Sequence, residues 1–185
     1  SFSLASGEKL TFDAPETDIN YQVSMTVSPD KAESKITSDT GEGQFPYFSE
    51  NKKESTSSQP LKAENGYLLV NLPDAPSTLA NSYFCRMNSV RKENLLMPCL
   101  VNEQYTYTVA IPAGMDLRTP ATDKTIANAA GKYVYSVQKD GKTAKVTRSL
   151  QLNKQLYTPA EYAALRTLLT EWGNTNSKVL MFTLE

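Results

Sequence analysis

From Ile19 to Val27 the chain alternates strictly: Ile19, Tyr21, Val23, Met25 and Val27 are apolar, and Asn20, Gln22, Ser24 and Thr26 between them are polar. A period of two puts all five apolar side chains on one side of an extended segment, so the pattern predicts a strand with one buried and one wetted face. The same period returns at Tyr105, Tyr107, Val109 and Ile111 until Pro112 and Gly114 end it, and again at Tyr133, Tyr135 and Val137. Lys139, Asp140, Gly141 and Lys142 then supply an Asp-Gly turn, after which Ala144, Val146, Arg148, Leu150 and Leu152 complete a hairpin. Two shorter apolar runs predict further strands. Tyr67 to Leu72 is stopped by Pro73, whereas Lys178 to Leu184 carries enough large apolar residues, Val179, Leu180, Met181 and Phe182, to lie inside a sheet rather than at its edge. Another strand is expected over residues 83–87. By contrast, residues 49–60 read SENKKESTSSQP, with no apolar side chain to bury, and predict a long exposed loop.

One segment switches from a period of two to the helical period. Tyr162, Leu165, Leu169 and Trp172 follow at spacings of three, four and three, which lines them along one face. Thr158 stands as N-cap, Pro159 as the first helical residue and Glu161 three residues after the cap, the arrangement of a capping box; Gly173 suits a left-handed C′ position. A helix over residues 159–172 is therefore expected, and its stripe should dock on a sheet face within the chain. The 17 Ser, 19 Thr and 10 Tyr agree with a strand-rich chain. The fold class expected is mainly β: an antiparallel β-sandwich of eight to ten strands with one C-terminal α-helix packed on it. At 185 residues this is one domain, with a sub-boundary conceivable near residues 73–81.

Charge and composition narrow the function by exclusion. Nineteen basic and 20 acidic residues leave a formal net charge of −1, so there is no basic field for a phosphate backbone, and nucleic acid is not expected as a partner. No run approaches the roughly 20 apolar residues of a membrane-spanning helix, so no membrane insertion is expected. The chain has no histidine, which removes Ser-His-Asp triads, Cys-His pairs and His-ligated zinc. It begins SFSLASGEKL, without Met, and reads as a cut made in a longer protein.

The second half resembles a known family. The series EQYTYTVAIPAGM, GKYVYSVQKDGK, KVTRSLQLNK and TPAEYAALRTLL is similar, in the order of its elements, to the carboxy-terminal domain of bacterial transglutaminase-like proteins. The resemblance covers residues 82–184. It implies an arrangement in which a large amino-terminal β domain comes first, a papain-like transglutaminase core second and a β-rich closing domain third. This chain looks like the third. The catalytic Cys, His and Asp of such proteins belong to the middle domain, so the resemblance carries no catalytic residue over. It implies instead a non-catalytic accessory domain, with the upstream domains of the same polypeptide as partners. The export signals of that family imply an extracytoplasmic location, periplasmic or at the outer surface.

The remaining candidates each have two readings. Cys85 and Cys99 can form one disulfide, which a turn near residues 92–94 would permit and which would contribute about 3 kcal/mol through loop closure, or they can be free buried thiols. Cys85 has nothing beside it to lower its pKa, and it is expected in the core or in a bridge rather than as a nucleophile. Asp116, Asp123 and Asp140 could be imagined as calcium ligands, but they fit no 12-residue loop and read as turn residues, so no metal or cofactor is assigned. Tyr105, Tyr107, Tyr133 and Tyr135 would make a sugar-stacking platform facing outward and a core facing inward; alternation on a half-buried face favours the core. Arg91 and Arg148 could meet carboxylates of a neighbouring domain or be paired locally or solvated. The isolated chain is expected to show no hydrolase or acyl-transfer activity. The alternative to the accessory role is an independent extracytoplasmic module that binds a glycan or a peptide.

Overall fold

A computed structural model describes residues 16–40, 53–74, 87, 90–97 and 100–184. In chain order its strands are β1 (Glu16–Val27), β2 (Lys31–Thr40), β3 (Lys53–Pro60), β4 (Tyr67–Asn71), β5 (Leu95–Leu96), β6 (Leu100–Ala110), β7 (Met115–Leu117), β8 (Thr122–Asn128), β9 (Gly131–Asp140), β10 (Thr143–Leu152) and β11 (Leu156–Tyr157). Helix α1 (Tyr162–Trp172), a 3-10 turn (Thr175–Lys178) and β12 (Val179–Leu184) complete the chain. The chain is mostly β with one α-helix among the described residues, as expected, but it has twelve strands there rather than eight to ten, since two-residue pieces such as β5 and β11 are too short to show any alternation. That helix is too short to cross a membrane.

Seven strands form one sheet in the order β3-β2-β1-β6-β10-β9-β8, antiparallel except where β1 runs parallel to β6. Register turns the period of two into a continuous inward face. Val23 lies beside Ile36 and Tyr107, Tyr107 beside Val146, and Val146 beside Val137. The adjacent inward row runs Tyr21, Tyr105, Arg148, Tyr135, and so places an arginine among tyrosines. On the outward face of the same strands stand Asn20, Gln22, Ser24, Thr106, Thr108 and Lys145, all exposed or partly so. A second sheet, β4-β12-β7, contributes Leu68, Val70, Leu180, Phe182 and Leu117 to the same hydrophobic cluster as the inward residues of the large sheet. β12 lies at its centre, as its apolar content requires. A two-stranded ribbon of β5 and β11 stands apart in pairing.

The exposed loop expected over residues 49–60 is a strand from residue 53 onward, and residues 49–52 lie outside the described residues. β3 pairs with β2 from Lys53↔Ser38 to Pro60↔Lys31. It is the edge of the sheet and most of it is wet on both faces, so no apolar residue is needed to hold it; ladder hydrogen bonds and the β preference of Ser and Thr suffice. Pro60 guards such an edge against further pairing. The strand expected over 83–87 lies outside the described residues, apart from Met87, which is in no strand.

In the hairpin of β9 and β10, Asp140 pairs with Thr143, so the turn residues are Gly141 and Lys142. The positive φ such a two-residue turn demands falls on Gly141, at +56°. Gly131, at φ +155°, is needed for another reason: a Cβ there would sit 2.0 Å from the backbone oxygen of Gln151 on β10. Gly131→Ala must therefore push β9 from β10 at their paired end. It is expected to cost about 1–3 kcal/mol, read as a lower urea midpoint with an unchanged slope.

α1 begins at Tyr162 rather than residue 159, because residues 159–161 form a turn in which the Glu161 N–H donates to the Thr158 carbonyl at 3.0 Å. Half of the expected capping box forms: the Glu161 carboxylate accepts from the Thr158 N–H at 3.0 Å, but the Thr158 hydroxyl donates to that same carboxylate, also at 3.0 Å, instead of capping the helix. Gly173 is right-handed, with φ −77°, since the chain passes directly into the 3-10 turn capped by Asn174. The stripe is buried as expected, at Tyr162, Leu165, Leu169 and Trp172, and Leu168 joins it. The helix lies against β9, and β8 beside it adds polar ties: the Asn128 amide donates to the Ala164 carbonyl at 3.0 Å and Lys124 pairs with Glu171 at 2.7 Å.

Hydrogen bonds from Lys154, then from the Thr158 N–H and hydroxyl, hold Glu161 down from its ordinary 4.5 to about 2. A folded value below the unfolded one means that this contribution is fully present above pH 4.5 and is lost as the pH falls toward 2. A carbon NMR titration of Glu161 is expected to show its midpoint near 2, with the start of α1 loosening in step. A midpoint near 4.5 would show that the contact with Lys154 is not kept in solution.

Candidate functional site

The most concentrated chemistry in the chain is buried where the large sheet, the end of α1 and the segment after β4 meet. Arg148 reaches inward from β10 and is fully buried. Its Nη1 donates to Asp74 Oδ1 at 3.1 Å, its Nη2 donates to the Trp172 carbonyl at 2.9 Å, and its guanidinium lies 4.7 Å from the centre of the Trp172 ring. The other oxygen of Asp74 accepts from Lys178. The Tyr107 hydroxyl donates to the Pro73 carbonyl at 2.9 Å, which ties the same segment to β6. Burial raises the hydroxyl pKa of Tyr107, and burial followed by the charge of Asp74 raises that of Tyr21. Each charge thus answers another charge or a carbonyl dipole, an arrangement that fixes geometry and leaves no base poised beside a nucleophile.

Arg148 is therefore locally paired and does not reach outward to a neighbouring domain. Arg91 is exposed and its Nε donates to the Glu93 carbonyl at 3.1 Å. Tyr105, Tyr107 and Tyr133 are buried and Tyr135 packs partly against the core, so they form no outward platform. Asp116, Asp123 and Asp140 lie in β7, in β8 and at the end of β9 rather than in loops: β7 and β8 are strands that no apolar alternation announces, and β9 runs on past Val137. Among the described residues no group of three His, Cys, Asp or Glu could hold a metal ion. Cys85 and Cys99 lie outside the described residues. Sequence reasoning did not single out Asp74, Lys178 or Glu103. Glu103 is buried in the inward register of β6 and accepts from the Tyr105 hydroxyl at 3.1 Å. A charged residue at an inward position of an alternating strand was the available signal for Glu103.

Two surface features remain. An open depression of about 370 Å³ lies between the β6–β7 loop and the β9–β10 turn, lined by Pro112, Gly114, Asp116, Lys139 and Lys142 among others. Its carboxylate is held by Lys139 at 2.5 Å, which lowers the Asp116 pKa, and Arg118 stands 3.6 Å away. Such a paired, solvated site has no acid–base partner for hydrolysis. The second feature is the outward face of the small sheet, where Tyr67 and Leu69 are exposed and Val179 and Met181 half-buried.

The fold is thus a mostly β domain in which one buried ionic cluster joins the large sheet to the end of α1. The chain belongs to a family described as a domain of unknown function with a solved structure, DUF3858, which matches residues 64–182. The match begins earlier than the resemblance noted at residue 82 and takes in β4 and Asp74. No curated protein matches the chain. A solved structure from Parabacteroides distasonis ATCC 8503, described as a "putative protease", is similar to it at 26% identity with a TM-score of 0.62. The likeness covers 82% of this chain and 35% of that one, so this chain spans about a third of the length of the solved protein.

Proposed function

We propose that the chain is a non-catalytic accessory domain of a longer, extracytoplasmic polypeptide, packed against a transglutaminase-like core of papain type that carries the catalytic residues. The observation that carries this reading is the unequal coverage: 82% of this chain finds its likeness in 35% of a longer chain described as a "putative protease". A protease label fits a papain-like core, and the order of elements in the second half of the sequence points the same way. The chain's own groups suit a supporting role. Its buried ions are committed to one another and to the end of α1, and its two cysteines stand in a sequence with no imidazole to activate a thiol.

The test is the complete open reading frame, followed by assay of its product beside the 185-residue chain. A Cys/His/Asp core encoded before Ser1 is expected, with turnover of a glutamine or peptide substrate by the complete product and none by the chain alone. Turnover by the chain alone that disappears in Cys85→Ala would overturn the reading. So would a signal peptide directly before Ser1, the organisation of a free-standing binding module.

A further inference from the structure

We infer that the outward face of the sheet β4-β12-β7 is the surface by which this chain docks on the adjoining domain of its own polypeptide, an inference that rests on the accessory role proposed above. The face is apolar where the comparable surface of the large sheet is not. Leu69 and Met181 are direct cross-strand partners, Tyr67 lies opposite Thr183, and Val179 lies opposite Asn71. Tyr67 is 46% and Leu69 57% exposed. The large sheet presents Asn, Gln, Ser and Thr to solvent at the equivalent positions, so this sequence has an ordinary solution for a wetted strand and does not use it here. At the border, Arg118 donates to the Thr183 hydroxyl at 3.1 Å and pairs with Asp116, so an apolar centre carrying Tyr and Met is rimmed by satisfied polar groups. That is the layout of a protein-binding patch.

The backbone favours a face-on partner over an added strand. Tyr67 exchanges both backbone hydrogen bonds with Glu64 at 2.9 Å, and the Asn71 N–H donates to the Gln59 side chain at 3.3 Å. The outer edge of β4 is thus occupied at both ends, which works against a second copy extending the sheet. The occupant is then a rigid apolar surface, and the similar chain supplies the kind: nearly two thirds of it lies beyond the shared part. A covalently tethered domain meets this face at high effective concentration, so a modest apolar patch suffices for stable contact.

Hydroxyl-radical footprinting tests this, because Met181 and Tyr67 are both readily oxidised. The complete polypeptide, its Leu69→Lys variant and the 185-residue chain at two concentrations are compared. Leu69 is more than half exposed, so its replacement leaves the core intact. The expected result is modification of Met181 and Tyr67 several-fold slower in the complete polypeptide than in the chain alone, with the difference abolished by Leu69→Lys. Protection at Leu96 and Leu156, the exposed cross-strand pair of β5 and β11, with Met181 fully reactive would overturn this face and leave the accessory role standing. Protection of Met181 in the chain alone that grows with concentration would overturn the occupant in favour of a second copy. Equal reactivity at every residue would overturn both the face and the accessory packing.

Discussion

Trp172→Ala is expected to lower the stability of the folded chain by about 3–5 kcal/mol, a large share of the roughly 5–15 kcal/mol a domain of this kind has in total. The indole is fully buried at the end of α1. Its ring centre lies 5.5 Å from that of Tyr105 on β6 and 6.4 Å, edge-on, from that of Tyr133 on β9, while the Arg148 guanidinium covers it at 4.7 Å. Removing it opens a cavity in contact with three strands and takes away the aromatic face over which a buried cation sits. Neighbours fixed in a sheet cannot collapse into such a gap. Urea unfolding of the 185-residue chain gives the measurement. A loss under about 1 kcal/mol, the scale of ordinary surface changes, would mean that the helix end is not seated as described.

The sequence made some of this packing readable and concealed the rest for identifiable reasons. β1, β6 and the β9–β10 hairpin are half-buried, so each writes its inward face as every second residue, and Trp172 stands in register with Leu165 and Leu169 on one helical stripe. β3 leaves no such trace. An edge strand wetted on both faces needs only a ladder partner, and a polar run looks the same whether it is a loop or such a strand. Leu168 was missed because α1 is buried over a wider arc than a single stripe. Tyr67 to Val70 reads as a uniformly apolar run, which hides that Leu68 and Val70 face the core while Tyr67 and Leu69 face outward. The ionic cluster is half legible. Arg148 occupies the inward register of β10, which already demands a buried partner, but Asp74 is 74 residues away in a stretch that reads only as a turn, and Lys178 is 104 residues beyond it. No local pattern encodes a pairing at that distance.

The second large effect comes from that cluster, and it is asymmetric. Asp74→Ala is expected to cost about 3–5 kcal/mol, because it leaves the fully buried Arg148 beside Lys178 with no carboxylate between them. Water cannot readily replace the lost partner, since Arg148 has no exposed surface and Lys178 is mostly covered. Arg148→Met is expected to cost clearly less. It removes the desolvated cation together with a guanidinium Nε that has no hydrogen-bond partner, it leaves Asp74 paired with Lys178, and the thioether fills much of the same space against Trp172. What is lost is the bond to the Trp172 carbonyl and the contact with the indole. The double variant Asp74→Ala with Arg148→Met should then be more stable than Asp74→Ala alone, since the second change removes the uncompensated charge created by the first. Urea midpoints of the three variants order these outcomes. If Arg148→Met proves the more damaging single change, the guanidinium stabilises chiefly by joining β10 to the end of α1, and its charge pairing with Asp74 is secondary.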